Sequence, residues 1–254
     1  MKKFFCFSDI HGNYKAFINA LDRAGYEPFN PNHQLLGLGD YFGRADDTVL
    51  GQGGSMAIYR YLTSPDHFNT PICLRGNHES ILYNAMEVQR LSYNDIYNGE
   101  HRTVASFHNC DADDARYDMP LAVYEMAAIG VEHWIEQMPW YYETTKYIFT
   151  HGFLPQGYME QDLNKFTAGE WHEATWCHTV EELIKDRFCG LTDKRKTVVL
   201  GHFGTDRLRR DLENNHNKDN HTIWVSEEYN VIGLDATTIL SQEVNVFVVE
   251  DDKQ

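Results

Sequence analysis

Positive charge is what this chain has least of: 22 Lys and Arg stand against 38 Asp and Glu, a formal net charge of -16. Broad, sequence-independent nucleic-acid binding needs many Lys and Arg contacts to phosphates, so that function class is disfavoured, although a local basic pocket is still allowed. Cysteine is scarce too. The five present, Cys6, Cys73, Cys110, Cys177 and Cys189, are odd in number, widely spread and without a C-x-x-C pair. That pattern argues against a disulfide framework and suits a reducing compartment. Long apolar runs are also missing. The start, Lys2-Lys3-Phe4-Phe5-Cys6-Phe7, imitates a signal peptide, but Ser8-Asp9 ends it far short of an h-region, and nothing else reaches transmembrane length. The expectation is a soluble cytoplasmic protein with no membrane partner.

What is present reads as a layered α/β chain. With 254 residues, 42% of them hydrophobic, it can bury one sizeable core, so a single domain over 1–254 is expected. Short apolar runs at 4–7, 35–38, 71–74, 147–149 and 198–200 read as buried strands. Between the first two, Phe17, Ile18, Leu21 and Ala24 fall on one face of a helix over 13–24, with Asn13 as cap and Gly25 as stop. A second helix is expected over 56–62. Residues 80–137 are helical in pattern and free of strand signals, which reads as a helical insertion at about 80–140. Runs at 222–225, 231–234 and 244–249 are β-branched and separated by polar turns, so the chain closes with strands.

Each of the first five strands runs straight into metal-ligand residue types: Asp9-Ile10-His11, Gly39-Asp40, Gly76-Asn77-His78-Glu79, His151-Gly152 and Gly201-His202. In open α/β sheets, ligands gather beyond the carboxyl ends of strands, where a rigid scaffold aims the loops. Five such loops can meet at one place. On an extended chain, residues i and i+2 project to the same side, which lets Asp9 and His11 grip one ion; the Asp40 carboxylate could bridge to a second. The neighbouring glycines Gly12, Gly39, Gly76, Gly152 and Gly201 permit sharp turns beside a crowded centre. Oxygen and imidazole donors without thiolate suit manganese, iron or zinc. Two cations about 3.5–4 Å apart can lower the pKa of a bridging water enough to supply hydroxide at neutral pH, and clamp the oxygens of an in-line displacement. That is the hydrolysis of a phosphate ester. One Asp-x-His alone would carry little, because a histidine beside glycine is usually a loop residue; five clusters in order change the balance.

The runs Asp9-Ile10-His11-Gly12, Gly39-Asp40-Tyr41-Phe42-Gly43-Arg44, Arg75-Gly76-Asn77-His78-Glu79, His151-Gly152 and Gly201-His202 resemble, in order and spacing, the motifs of the calcineurin-like metallophosphoesterases. Within that superfamily the chain is most similar to the phosphoprotein phosphatase branch, which includes bacterial and phage serine/threonine phosphatases and the symmetrical diadenosine tetraphosphatases. The resemblance implies an αββα sandwich of two mixed sheets flanked by helices. It also implies two divalent metal ions, manganese first, with iron, zinc, nickel and magnesium as alternatives. Asp9, His11 and Asp40 would hold one ion, and Asp40, Asn77, His151 and His202 the other. His78 would be the general acid, protonating an alkoxide that otherwise leaves poorly. Arg44 would bind the phosphate, its planar fork matching two phosphoryl oxygens.

Three departures from the branch stand out. Gly43 occupies the position where an Asp usually pairs with the catalytic histidine; Asp46 or Asp47 could substitute, but Asp is common in turns and a solvated loop is the preferred reading. Where a second phosphate-binding arginine usually follows a Trp, Trp176-Cys177-His178 offers His178, which joins Arg44 and Asn77 on the substrate side with a pH-dependent charge. Finally, Gly201-His202-Phe203-Gly204 lacks the second histidine of the Gly-His-x-His run found in many phosphodiesterases, which favours a phosphatase-type site.

The remaining candidates receive plain readings. His33, His67, His101, His108, His133, His172, His216 and His221 are expected mostly at the surface. Trp134, Trp140, Tyr141 and Tyr142 could line a cleft, but Trp and Tyr serve more often in packing between core and surface. Arg207, Arg209 and Arg210 read as a solvated basic face. The expected activity is metal-assisted hydrolysis of a phosphomonoester, foremost phosphoserine or phosphothreonine in protein. One alternative is a nucleotide phosphohydrolase acting on diadenosine tetraphosphate or a related pyrophosphate. Another, of a different class, is a catalytically impaired metal-binding interaction module.

Overall fold

Strand β1 (Lys2–Phe7) has large apolar residues on both faces: Phe5 and Phe7 point to one side, Phe4 and Cys6 to the other, and all four are buried. A strand of this kind has to be covered twice, which forces a layered fold. The protein, seen in a computed structural model, is described at residues 2–44, 54–108, 110–116, 119–158, 162–176 and 196–251. After β1 comes α1 (Tyr14–Ala24), started by the Asn13 side chain, which accepts the Ala16 N–H at 3.1 Å, and stopped by Gly25 at φ 76°. The chain returns as β2 (His33–Gly37), then α2 (Gly54–Leu62) and β3 (Ile72–Cys73), with β1, β2 and β3 mutually parallel.

Among the described residues five α-helices follow: α3 (Asn77–Val88), α4 (Tyr93–Tyr97), α5 (Glu100–His108), α6 (Met119–Ala128) and α7 (Val131–Glu136). The second half carries β4 (Tyr141–Glu143), β5 (Tyr147–Thr150), α8 (Ala168–Thr175), β6 (Thr197–Leu200), α9 (Thr205–Glu213), β7 (Trp224–Ser226), β8 (Val231–Gly233) and the short α10 (Thr238–Ser241). Finally, β9 (Val246–Asp251) crosses back to lie antiparallel to β1. The sheet orders are β3-β2-β1-β9 and β4-β5-β6-β8-β7, both mixed, with antiparallel strands only at edges.

Between the sheets lie Phe4, Cys6, Leu36, Leu38, Phe149, Val199, Ile232 and Leu234. The outer face of the first sheet, with Phe5, Phe7 and Leu35, packs under α1, α2 and α5 to α7. On the outer face of the second, Val198, Leu200 and Val231 meet Trp171 of α8 and Leu208 of α9. The result is the expected helix–sheet–sheet–helix sandwich. Each large side chain buried in it contributes about 1.5–3 kcal/mol of transfer free energy, which holds the strand ends in place.

The structure differs from the sequence reading at several points. Helix α3 begins at Asn77, so Asn77 and His78 form its first turn, with Glu79 accepting the Gly76 N–H at 3.0 Å. Strand β4 was not expected; Tyr141 and Tyr142 pair with Thr150 and Phe149. The aromatic group packs: Trp134 lies 5.3 Å from Tyr59 and 5.7 Å from Tyr41, ring centre to ring centre, and Tyr141 stacks on Trp171 at 4.9 Å. Arg209 is not on a solvated face. It is 8% exposed, and its guanidinium donates to the carbonyls of Thr205, Asn220, Thr222 and Ile223, so its planar fork ties down the loop after α9. Arg207 and Arg210 instead pair with Asp211 at 3.5 and 2.8 Å. Of the eight remaining histidines only His133 and His216 are exposed, and His67 and His101 are buried. Tyr26 and the Tyr61 carbonyl satisfy His67 at 2.9 and 2.8 Å. Asp46, Asp47, Cys177, His178 and Cys189 lie outside the described residues. No described helix is long and apolar enough to cross a membrane.

Candidate metal centre

The loops leaving β1, β2, β3, β5 and β6 meet at one place. Asp9 and His11 are not on an extended run: their φ angles are 54° and 47°, both left-handed. They converge because the loop after β1 continues alongside the loop after β2, with Asp9, His11 and Gly12 N–H groups donating to the carbonyls of Gly39, Asp40 and Tyr41 at 3.1, 3.0 and 2.9 Å. Asp40 and His202 also have positive φ, 54° and 59°. Such backbone costs about 1–3 kcal/mol per residue and persists where the surroundings over-determine it, typically at functional sites.

Two donor groups share Asp40: His11, Asp40 and His78 form one, and Asp40, His151 and His202 the other, with the donor atoms of each within 4.8 Å of one another. Asp40 Oδ2 lies 3.9 Å from His11 Nε2 and from His78 Nε2, while Oδ1 lies 3.3 Å from His151 Nε2. Asp9 Oδ1 is 3.8 Å from His11 Nε2. Asn77 Oδ1 sits 2.9 Å from His151 Nε2 and 3.0 Å from His202 Nδ1. All six sequence-predicted ligands are therefore brought together, and the shared carboxylate could face two ions at once.

Supporting contacts fix the aim of these groups. His11 and His151 donate Nδ1–H to the Phe42 and Leu38 carbonyls at 3.1 and 2.9 Å, which aims Nε2 of each at the centre; Nε2 of His151 there donates to the oxygens of Asn77 and Asp40, and a bound ion would take the place of its proton. Asp9 Oδ2 accepts the His202 N–H at 2.9 Å, and Asp40 Oδ1 the His78 N–H at 3.0 Å, in the first turn of α3 where the helix favours a negative charge. Glu79 accepts the N–H groups of Asp40, Tyr41 and Gly76 at 2.8, 2.9 and 3.0 Å, joining the β2 and β3 loops. A Cβ at Gly76 would strike Asp40, so only glycine lets these two loops close up.

The electrostatics fit a cation. Burial, then the Asp235 and Asp40 charges, push Asp9 up to about 7. Burial likewise raises Glu79 to about 7 and Asp235 to about 6. Burial and His78 lower His11 to about 4, keeping its imidazole neutral and able to donate a lone pair. Burial would raise Asp40, yet the neighbouring imidazoles, His151 foremost, hold it well below the usual carboxylate range. His151 behaves oppositely to His11: although burial opposes it, the Asp40 carboxylate and the other nearby carboxyl groups raise it to about 9. Buried carboxyl groups held against their ionised form, and a proton trapped on His151 between them, are what bound divalent ions would relieve.

On the substrate side, Arg44 is exposed at the rim with φ 62°. Its Nη2 lies 3.5 Å from Asn98 Oδ1, and its carbonyl accepts from Arg102 at 3.0 Å. His78 is buried, with Nδ1 2.7 Å from Glu100 Oε1. Burial raises the Glu100 carboxyl well above its usual range and lowers His78. Glu100, Glu79 and Asp235 are the neighbours that sequence reading left without a role. Asp235 had a signal, since it follows the apolar run 231–234 as Asp9 and Asp40 follow theirs. Glu100 had none.

A family model described as Calcineurin-like phosphoesterase matches residues 2–234. No curated protein matches the chain. Among solved structures, a candidate diadenosine tetraphosphatase is 16% identical, with a TM-score of 0.59 over 97% of this chain and 89% of that one. A protein serine/threonine phosphatase from Saccharomyces cerevisiae, with similarity to human phosphatase PP5, is 15% identical, TM-score 0.54, over 92% of this chain and 67% of that one. A cold-active protein-tyrosine phosphatase of a psychrophilic Shewanella species is 14% identical, TM-score 0.55, over 98% and 76%. At such identities the likeness is one of fold.

Proposed function

Because the chain belongs to the calcineurin-like phosphoesterase family, whose members hydrolyse phosphoric esters, we propose that it is a metal-dependent phosphomonoesterase acting foremost on phosphoserine or phosphothreonine in protein. The observation that carries this reading is the Asp40 carboxylate, whose Oδ2 lies 3.9 Å from His11 Nε2 and whose Oδ1 lies 3.3 Å from His151 Nε2, so that one group can serve two ions. Asp9, His11 and Asp40 would hold one ion and Asp40, Asn77, His151 and His202 the other, with manganese the first candidate for these oxygen and imidazole donors. Bound there, the ions would activate water as the nucleophile and offset charge on the phosphoryl oxygens.

The chain's own groups do the rest. With Asn77 Oδ1 turned to His151 and His202, its amide nitrogen is left to donate to a phosphoryl oxygen. Arg44 approaches from the rim, where its guanidinium can pair two more. His78 Nε2 supplies the proton that a seryl or threonyl oxygen needs as its bond to phosphorus breaks. An exposed Arg44 beside buried donors supports a substrate that presents its phosphate on a projecting side chain. Phe203 and Gly204, in place of a second histidine after His202, support a monoester.

The test is turnover of p-nitrophenyl phosphate with added manganese, set against the bis-ester, in the native chain and in His78→Asn. Peptides carrying phosphoserine, phosphothreonine or phosphotyrosine, and diadenosine tetraphosphate, follow. The expected result is monoester hydrolysis that a chelator abolishes, with phosphoserine and phosphothreonine peptides preferred. Clear preference for the dinucleotide would replace this reading with a nucleotide phosphohydrolase. A chain that binds manganese yet turns over none of these compounds would be an interaction module.

A further inference from the structure

We propose that Glu100, at the start of α5, is the positioning residue of His78 and takes the place of the side chain that Gly43 lacks; this rests on the phosphoesterase reading above. Glu100 is 0% exposed, and its Oε1 lies 2.7 Å from His78 Nδ1. A carboxyl group is almost never buried so completely without a partner, and this imidazole is the partner here. A Cβ added at Gly43, where φ is +80°, would fall against His78 Nδ1 and lie 3.0 Å from Glu100 Oε1, so the absence of a side chain at 43 leaves the room in which His78 and Glu100 meet.

The helical segment that delivers Glu100 is fastened to the same loop. Gly43 N–H donates to Thr103 Oγ1 at 2.8 Å, one turn along α5. Asn98 Oδ1 faces Arg44 Nη2 at 3.5 Å, and a Cβ at Gly99 would press on the Arg44 backbone. Three consecutive residues, 98 to 100, thus hold both the proton donor and the phosphate-binding arm. In the reaction, the oxygen of water bonds to phosphorus, the ester P–O bond breaks, and the leaving oxygen takes the proton from His78 Nε2. Glu100 accepts the Nδ1–H throughout, so the ring cannot turn away, and solvent restores the proton at Nε2.

The experiment compares Glu100→Ala and Glu100→Gln with the native chain, in manganese, on esters of graded leaving group. General acid catalysis is worth about 10²–10⁴-fold, so kcat of Glu100→Ala on phenyl phosphate should fall by about 10²-fold or more while KM stays put. Dinitrophenyl phosphate, whose leaving group needs no proton, should lose little. Glu100→Gln keeps the shape and an acceptor oxygen and should fall between. Equal losses on both esters, or a change confined to KM, would overturn the proposal. Nitrogen NMR of histidine-labelled protein gives a readout apart from activity, with the His78 signal identified by its absence in His78→Asn. That signal should move in Glu100→Ala. If it moves while the native chain cleaves no monoester, the pairing stands and the functional reading falls; if it does not move, the pairing itself is wrong.

Discussion

At Gly201 an added methyl group would press on Ser8 Oγ and Asp9 Oδ2, and Asp9 Oδ2 is also the acceptor for the His202 N–H. Gly201→Ala should therefore displace Asp9 and loosen His202 while every candidate ligand residue is kept. Changes to groups that hold metal ligands typically cost about 10–100-fold in affinity. A loss in that range is expected for manganese by titration calorimetry, with the circular dichroism spectrum unchanged; native affinity would show that Asp9 is not a ligand. His78→Asn should leave manganese affinity within a few-fold and lower kcat on poor leaving groups by about 10²–10⁴-fold. At this scale the convergence of the six candidate donors was legible because each lies in a loop that leaves an apolar strand. The reason given for Asp9 and His11 was wrong in detail, since a left-handed turn rather than an extended run brings them together. Glu100 was illegible because a carboxylate on a helix looks the same in sequence whether it faces water or a buried imidazole.

Among elements, α1 was read almost in full, cap and stop included, because capping chemistry is local. Gly25→Ala tests the stop. A Cβ there meets nothing within 4 Å, yet φ is +76°, so only backbone strain is added, about 1–2 kcal/mol. The urea midpoint should drop accordingly with kcat unchanged; no drop would mean that the turn relaxes. Helix α3 was placed three residues late, because Gly76-Asn77-His78 reads as a turn until Glu79 is seen to close back on the Gly76 N–H. Strand β4 has three residues and was missed, since so short a stretch shows no period and exists only through its pairing with β5.

For the molecule as a whole, divalent ions should be a source of stability. A ligand that binds only the folded state at about a hundred times its Kd adds about 2.7 kcal/mol, so manganese should raise Tm in the native chain and fail to do so in Asp40→Ala. Alkaline pH acts the other way. Burial pushes the Tyr26 and Tyr158 phenols and the Cys73 thiol each up to about 12, from ordinary values of 10.0 and 9.0. Between these limits the folded chain binds more protons than the unfolded one, so this contribution is complete below pH 9 and is lost as pH rises towards 12. Thermal melts across that range should show Tm falling, and falling less steeply in Tyr26→Phe.

The layered α/β class and six of the polar groups at the strand ends were determined by the sequence alone, because short apolar runs mark buried strands and the polar residues that follow them mark strand-end loops. The αββα order came from the resemblance of those motifs to a known family. What only the tertiary structure decided is which distant groups share a space. Glu100 reaches His78 at the place Gly43 leaves empty, and Arg209 turns inward to a loop instead of outward to solvent. Contacts of this kind join residues of unrelated chain position, and no period or motif in the sequence records them.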